Sequence, residues 1–163
     1  SMWGAHGIEG KWNMYEESIR VPTRIYDPRM KGSKKGKRDQ MALNIDIAPT
    51  IIELASEEIP DEMQGMSLLP LMESPEAKGR KDWYYEHDVK TRSKGKDLPQ
   101  CEGVRTDRWK YTRYKDTDPL QEELFDLQND PNEINNLVAY SEHKETLNKL
   151  RKRCDELKES LKE

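Results

Sequence analysis

Val104-Arg105-Thr106-Asp107-Arg108-Trp109-Lys110-Tyr111-Thr112-Arg113-Tyr114 places a turn pair, Thr106-Asp107, between two runs of β-prone residues. The second run alternates Trp109, Tyr111 and Arg113, which is a hairpin pattern. Upstream, Asp82-Trp83-Tyr84-Tyr85-Glu86-His87 is aromatic and β-prone. Downstream, Glu123-Leu124-Phe125-Asp126-Leu127 reads as a further strand, ended by Asn129-Asp130-Pro131. A helix follows, with Ser141 as its expected cap. Leu147, Leu150, Cys154, Leu157 and Leu161 recur at helical spacing and form one apolar stripe. The class predicted for 82–163 is α+β: a small antiparallel sheet packed against a long C-terminal helix. The stripe spans under three heptads, which is short for a coiled-coil dimer.

The amino-terminal part reads differently. Residues 1–20 combine Gly4, Gly7 and Gly10 with Trp3, Trp12 and Tyr15, a loop composition that permits close approach. Val21-Pro22-Thr23-Arg24-Ile25-Tyr26 alternates and predicts a strand stopped by Asp27-Pro28. Arg29 to Arg38 carries six cations and no acid, which suits a solvated loop or a phosphate or glycan contact. Asn44 to Ala55 predicts a helix with Asp46 as N-cap, Pro49 in the first turn, and Ile47, Ile51, Leu54 and Ala55 on one face. Residues 57–81, rich in Pro, Gly, Ser and charge, read as a connecting segment between 1–56 and 82–163.

Composition narrows the possibilities. The formal net charge of −4 gives no global basic field for nucleic acid or an anionic membrane. Leu, Ile, Val and Phe number 28 of 163 residues, below the roughly 20% at which a self-sufficient core becomes doubtful. Without the high net charge of a disordered chain, the expectation is a core normally shared with further chain, and association through exposed apolar surface. Cys101 and Cys154 show neither disulfide nor metal-site spacing, and no apolar run is long enough to span a membrane.

Five blocks stand in a fixed order: Gly4-Ala5-His6-Gly7 through Lys11 to Met14-Tyr15-Glu16-Glu17-Ser18-Ile19-Arg20-Val21-Pro22; Asp46-Ile47-Ala48-Pro49-Thr50-Ile51; Gln64-Gly65-Met66-Ser67-Leu68-Leu69-Pro70-Leu71; Val104-Arg105-Thr106 to Lys110-Tyr111; and Glu123-Leu124-Phe125-Asp126-Leu127 through Asp130-Pro131-Asn132-Glu133 to Asn136-Leu137. Together they resemble the carboxyl-terminal part of the type I, formylglycine-dependent sulfatases of the alkaline-phosphatase-like superfamily. The resemblance implies that residues 1–56 are the last elements of a large α/β domain and that 82–163 are the smaller domain after it. It implies hydrolysis of sulfate esters, such as those of sulfated sugars, by a parent protein with a formylglycine nucleophile and a bound Ca²⁺, neither held by this chain. It also implies an exported (periplasmic or extracellular) or lysosomal compartment.

On that resemblance Lys11 matches the family lysine that contacts the sulfate and leaving oxygen, a role that suits a compact ammonium. His6 matches the histidine of the same segment, and Ala5 departs from the usual Glu there. His87 and Arg105 are candidate substrate-binding residues at the border of the pocket. Tyr15-Glu16-Glu17-Ser18 is expected to hold the fold, with Glu16 or Glu17 bonding Arg20, and His143 to face solvent. Cys101-Glu102-Gly103-Val104-Arg105 has the Cys-to-Arg spacing of the nucleophile motif but lacks its Pro or Ala. The chain alone is therefore expected to be inactive. Two other readings stay open: a phosphodiesterase or phosphonate hydrolase on the same scaffold, and a non-catalytic interaction module built on the amphipathic helix.

Overall fold

A computed structural model of the chain describes residues 2–8, 10–11, 13–29, 35–89, 91–93, 96–98 and 100–161. In chain order the helices are α1 (Glu16–Ile19), α2 (Ile47–Leu54), α3 (Leu69–Glu73) and α4 (Lys144–Ser160). The strands are β1 (Asp82–His87), β2 (Thr91–Ser93), β3 (Lys96–Leu98), β4 (Cys101–Thr106), β5 (Trp109–Tyr114) and β6 (Gln121–Asp126). Contacts divide the chain into residues 1–22 with 82–163, and residues 23–81. Compactness thus groups residues 1–22 with the sheet, where the sequence reading had placed them with 23–56.

In the first unit β1, β4, β5 and β6 form an antiparallel sheet in the order β1-β4-β5-β6, and β2 pairs with β3 as a separate ribbon. The β4–β5 hairpin pairs Arg105 with Lys110, so Asp107-Arg108 make the turn, one residue beyond the predicted Thr106-Asp107. Thr106 still shapes it: its Oγ1 accepts from Trp109 N at 2.8 Å.

Side chains alternate across a strand, and here both faces are covered. Val104, Tyr111 and Leu124 are in register on one face and pack with Leu147, Leu150 and Cys154 of α4. The last helix opens with a 3-10 turn at Ser141–His143, and Ser141 makes no cap bond. His143 does not simply face solvent: its ring lies 5.6 Å from that of Trp109. Gly103 and Thr112 are paired on the opposite face, and Met14 packs there, with Thr112 Oγ1 donating to Met14 Sδ at 3.4 Å. A Cβ on Gly103 would lie 2.2 Å from Tyr111 O and 2.6 Å from Met14 Sδ. Gly103→Ala is therefore expected to destabilise the unit by about 1–3 kcal/mol through overpacking, read as a lower urea midpoint at unchanged m-value.

The low count of branched aliphatics is explained by what replaces them. Glu102, Lys110, Asp126 and Glu133 are each at most 4% exposed and are ion-paired. Tyr111 is fully buried, whereas Trp3, Tyr26 and Tyr140 are exposed.

In the second unit Asp46 is fully buried and stands at the N-cap position of α2, but its side chain makes no capping bond there. Its carboxylate accepts from Leu43 N at 2.7 Å and Met66 N at 2.9 Å and pairs with Arg80. Thr50 Oγ1 accepts from Leu68 N at 2.8 Å, so α2 buries Pro49 and Thr50 while Ile47 and Ile51 are exposed. Residues 21–26 form no ladder, because no described strand pairs with them; Val21 and Ile25 are exposed. Of the cationic run, Lys31 and Lys34 lie outside the described residues. Arg29 pairs with Asp27, Lys37 with Asp39, and Arg38 donates to Leu71 O and Met72 O.

Candidate functional site

Residues 2–8 and 10–11 belong to a loop closed by main-chain bonds: Met2 N to Gly10 O at 2.7 Å, Gly4 N to Ile8 O at 3.1 Å, Ala5 N to Met2 O at 2.8 Å and Ile8 N to Ala5 O at 3.0 Å. The tight path requires positive φ at Gly4 and Gly10, both 94°. His6 also takes a left-handed conformation, at φ 52°. Met2 anchors the loop, 2% exposed. Glu9, within the span of this segment, and Trp12, just after it, lie outside the described residues.

His6 and Lys11 both belong to this loop. The His6 ring stacks on Tyr15 at 4.0 Å and 9°, and its Nε2 is 3.7 Å from Glu17 Oε2. Lys11 is exposed. Tyr15 continues the connection: its hydroxyl donates to Glu123 Oε1 at 2.6 Å, and Tyr114 donates to Glu123 Oε2 at 2.8 Å. Burial and the adjacent Glu123 carboxylate push both phenols far above their ordinary range.

Glu16 does not bond Arg20. It meets Lys110 Nζ at 2.8 Å and Arg105 Nε at 3.4 Å. Lys110 Nζ also lies 2.7 Å from Glu133 Oε1, and Glu16 N donates to Glu133 Oε2 at 2.6 Å. Burial opposes ionisation of Glu16, but Lys110 and Arg105 together hold its carboxyl below the usual range. At Glu133 burial outweighs Lys110, and its carboxyl is raised. Sequence reading missed Lys110 and Glu133. The available signal was a Lys between two aromatics inside a strand, where an unpaired ammonium could not be buried.

Arg105 lines a cleft with Glu16, Arg20, Asp107, Arg108 and Gln128. Its cations are largely matched: Arg105 by Glu16, and Arg108 by a two-point contact with Asp126, Nε to Oδ1 at 2.9 Å and Nη2 to Oδ2 at 2.6 Å. His87 is buried at the end of β1, opposite Cys101. The β1–β4–β5 register puts His87, Arg105 and Lys110 on the sheet face that Met14 and Glu16 cover. The structure thus joins His6 and Lys11 in one loop and ties Arg105 to the helix after it. His87 shares that sheet face.

The sequence profile of the N-sulphoglucosamine sulphohydrolase C-terminal family matches residues 4–160. This chain belongs to that sulfatase family. An N-acetylglucosamine-6-O-sulfatase of Bacteroides thetaiotaomicron is 32% identical, aligned over 98% of this chain and 28% of its own length. An arylsulfatase of Clostridium perfringens is 36% identical over 93% of this chain and 30% of its own length. The chain thus spans under a third of the curated relatives it matches. A solved structure bound to its substrate D-glucosamine-2-N,6-O-disulfate superposes with a TM-score of 0.66 at 29% identity, over 74% of this chain and 24% of that one. A sulfatase candidate from Bacteroides thetaiotaomicron reaches 0.77 at 27% identity, over 92% and 32%. A phosphonate monoester hydrolase of Agrobacterium radiobacter, at 24% identity and 0.58 over 75% and 26%, shares the fold alone. The α+β class, a small antiparallel sheet with a long helix at the end of an alkaline-phosphatase-like fold, therefore holds for this family member.

Among the described residues no three His, Cys, Asp or Glu side chains converge as a metal cage would require. Cys101 is fully buried in β4, and burial, reinforced by Glu123, pushes its thiol up to about 12. A thiol so held is inert as a nucleophile. No helix among the described residues is long and apolar enough to cross a membrane.

Proposed function

We propose that this chain is the carboxyl-terminal part of a sulfatase acting on sulfate esters of sugars, and that it contributes Lys11, with His6, to the sulfate pocket. The observation that carries the reading is the family match over residues 4–160, joined to a relative named for a sugar sulfate. The chemistry agrees. In sulfate ester hydrolysis negative charge grows on the leaving oxygen while the sulfuryl group stays anionic, so a fixed cation stabilises the transition state. Lys11 is exposed in a loop closed by main-chain bonds, which lets an ammonium be presented at low cost in ordering. His87 and Arg105, on the covered sheet face, are proposed to border the sugar. The calcium ion and formylglycine would be held outside this chain, and the compartment is proposed to be exported or lysosomal.

The test compares two proteins. The full-length protein is expected to release sulfate from an aryl sulfate and from a 6-O-sulfated glucosamine. The chain alone is expected to release none, after mass spectrometry excludes full-length contaminant. Turnover by the chain alone, or phosphonate cleavage in place of sulfate release by the full-length protein, would sink the reading.

A further inference from the structure

We propose that Lys110 and Glu133 are positioning residues: they fix Glu16 on the sheet, and so set the place of the segment that carries His6 and Lys11. The inference rests on the sulfatase reading for its catalytic half.

The ammonium of Lys110 is 1% exposed and sits between two carboxylates, Glu16 at 2.8 Å and Glu133 at 2.7 Å. Glu133 is equally buried, at 2% overall. Such an arrangement is a weak way to gain stability, since apolar residues of similar volume often serve as well. It is a strong way to fix one geometry, because a displaced carboxylate leaves a buried charge unmatched. Glu133 itself stands in the left-handed region at φ 54°, an uncommon conformation for its residue type. The turn from Asp130 holds it there: Glu133 N donates to Asp130 O at 3.1 Å, and Asn135 N to Asp130 Oδ2 at 2.8 Å.

What the pair grips is a helix that cannot stand alone. α1 has four residues, far below the length at which a helix persists in water. Its first turn exists because Glu16 N donates to Glu133 and the Glu16 carboxylate meets Lys110. Tyr15, next in line, carries the constraint to the loop by stacking on His6. Lys11 lies between His6 and Tyr15 in the chain. A shift of Glu16 therefore moves one end of the span that bears Lys11. Arg105, at 3.4 Å from Glu16, pairs with that carboxylate and does not replace Lys110, which touches both Glu16 and Glu133.

The experiment uses the full-length protein with Lys110→Met, which keeps the stem and removes the charge. Expected are a fall in kcat on an aryl sulfate of about 10²-fold, the loss a misplacement of roughly 1 Å produces, with a smaller change in KM. Amides of residues 13–20 should exchange hydrogen faster while those of β4 and β5 keep their protection. Lys110→Arg, which retains the charge, should recover part of the loss. If Lys110→Met does not fold, Glu133→Gln carries the same two measurements, since it keeps an acceptor for Glu16 N. Unchanged exchange of residues 13–20 in a folded variant overturns the inference. So does faster exchange with kcat within about 3-fold of the parent, which would make the pair merely structural. An unsubstituted protein inactive on sulfate esters strikes the sulfatase reading instead, and with it the catalytic half; the exchange result then judges the anchoring by itself.

Discussion

Glu102→Gln is expected to lower the stability of the sheet-and-helix unit by about 3 kcal/mol, because it strips the charge from a buried carboxylate that holds two half-buried cations, Arg113 and Lys158. Glu102 is 2% exposed and ties its own strand, β4, to three other elements. Its Oε1 accepts from Arg113 Nε on β5 at 2.7 Å; its Oε2 accepts from Lys158 Nζ on α4 at 2.5 Å and from Tyr84 Oη on β1 at 2.9 Å. Burial alone would raise its carboxyl, but Lys158, Arg113 and Tyr84 outweigh it and hold it at about 2, against an ordinary 4.5. The folded value lies below the unfolded one, so this contribution is complete above about pH 4.5 and is lost as pH falls towards 2. The difference corresponds to about 3 kcal/mol. Glu16, Glu122 and Asp126 are lowered and act in the same direction. Glu133 is raised and acts in the opposite one: protonating it relieves a burial penalty. Urea denaturation followed by tryptophan fluorescence should show a steep loss of stability in the parent between pH 4.5 and 2, and a shallower one in Glu102→Gln. Parallel pH profiles for the two proteins would show that Glu102 is not the group responsible.

That network also shows where the sequence was readable. The strand at 109–114 and the helix through Leu147, Leu150 and Cys154 were legible because their apolar residues recur at the period of the element, and those at 82–87 and around 123–127 through their β-prone residues and the breaker that follows 127. The second face was hidden. On β4 and β5 it is built from Gly103, Arg105, Lys110 and Thr112, residues that look solvent-exposed in a period-2 reading. They are covered because residues 13–20, some ninety positions earlier, return to lie on them. No local pattern announces a pairing at that separation. The fourth strand's start at Cys101 and the β2–β3 ribbon were missed for a related reason: neither alternates, and the Cys101–Val104 stretch is buried throughout. Residues 21–26 erred the other way. They carry a strand pattern but find no partner among the described residues, since a strand requires a neighbour's backbone as well as its own side chains. Of the candidate site, the resemblance singled out His6 and Lys11, which the structure places in one loop, while the Lys110–Glu133 pair was not singled out.

The largest effect on activity is expected from Lys11→Ala in the full-length protein: kcat on an aryl sulfate should fall by about 10²–10³-fold, or roughly 3–4 kcal/mol of transition-state stabilisation. Lys11 follows Gly10, whose carbonyl closes the loop with Met2 N, and it is exposed in this chain. Its removal should therefore leave the fold intact, so melting temperature and far-ultraviolet circular dichroism should match the parent's. Lys11→Arg should restore little, because a planar guanidinium on a longer stem would replace the compact charge proposed to meet the leaving oxygen. Lys149→Ala is the matched control: that lysine is 73% exposed on α4 and pairs with Glu145 one turn away, a contact worth a few tenths of a kcal/mol. The loss should appear in kcat for substrates with poor leaving groups and shrink as the leaving group becomes more acidic, since a cation at the leaving oxygen matters most when that oxygen carries most charge. A Lys11→Ala enzyme whose kcat stays within about 3-fold of the parent, with the same dependence on leaving group, would make Lys11 an ordinary solvated loop residue and leave the sulfate pocket to groups outside this chain.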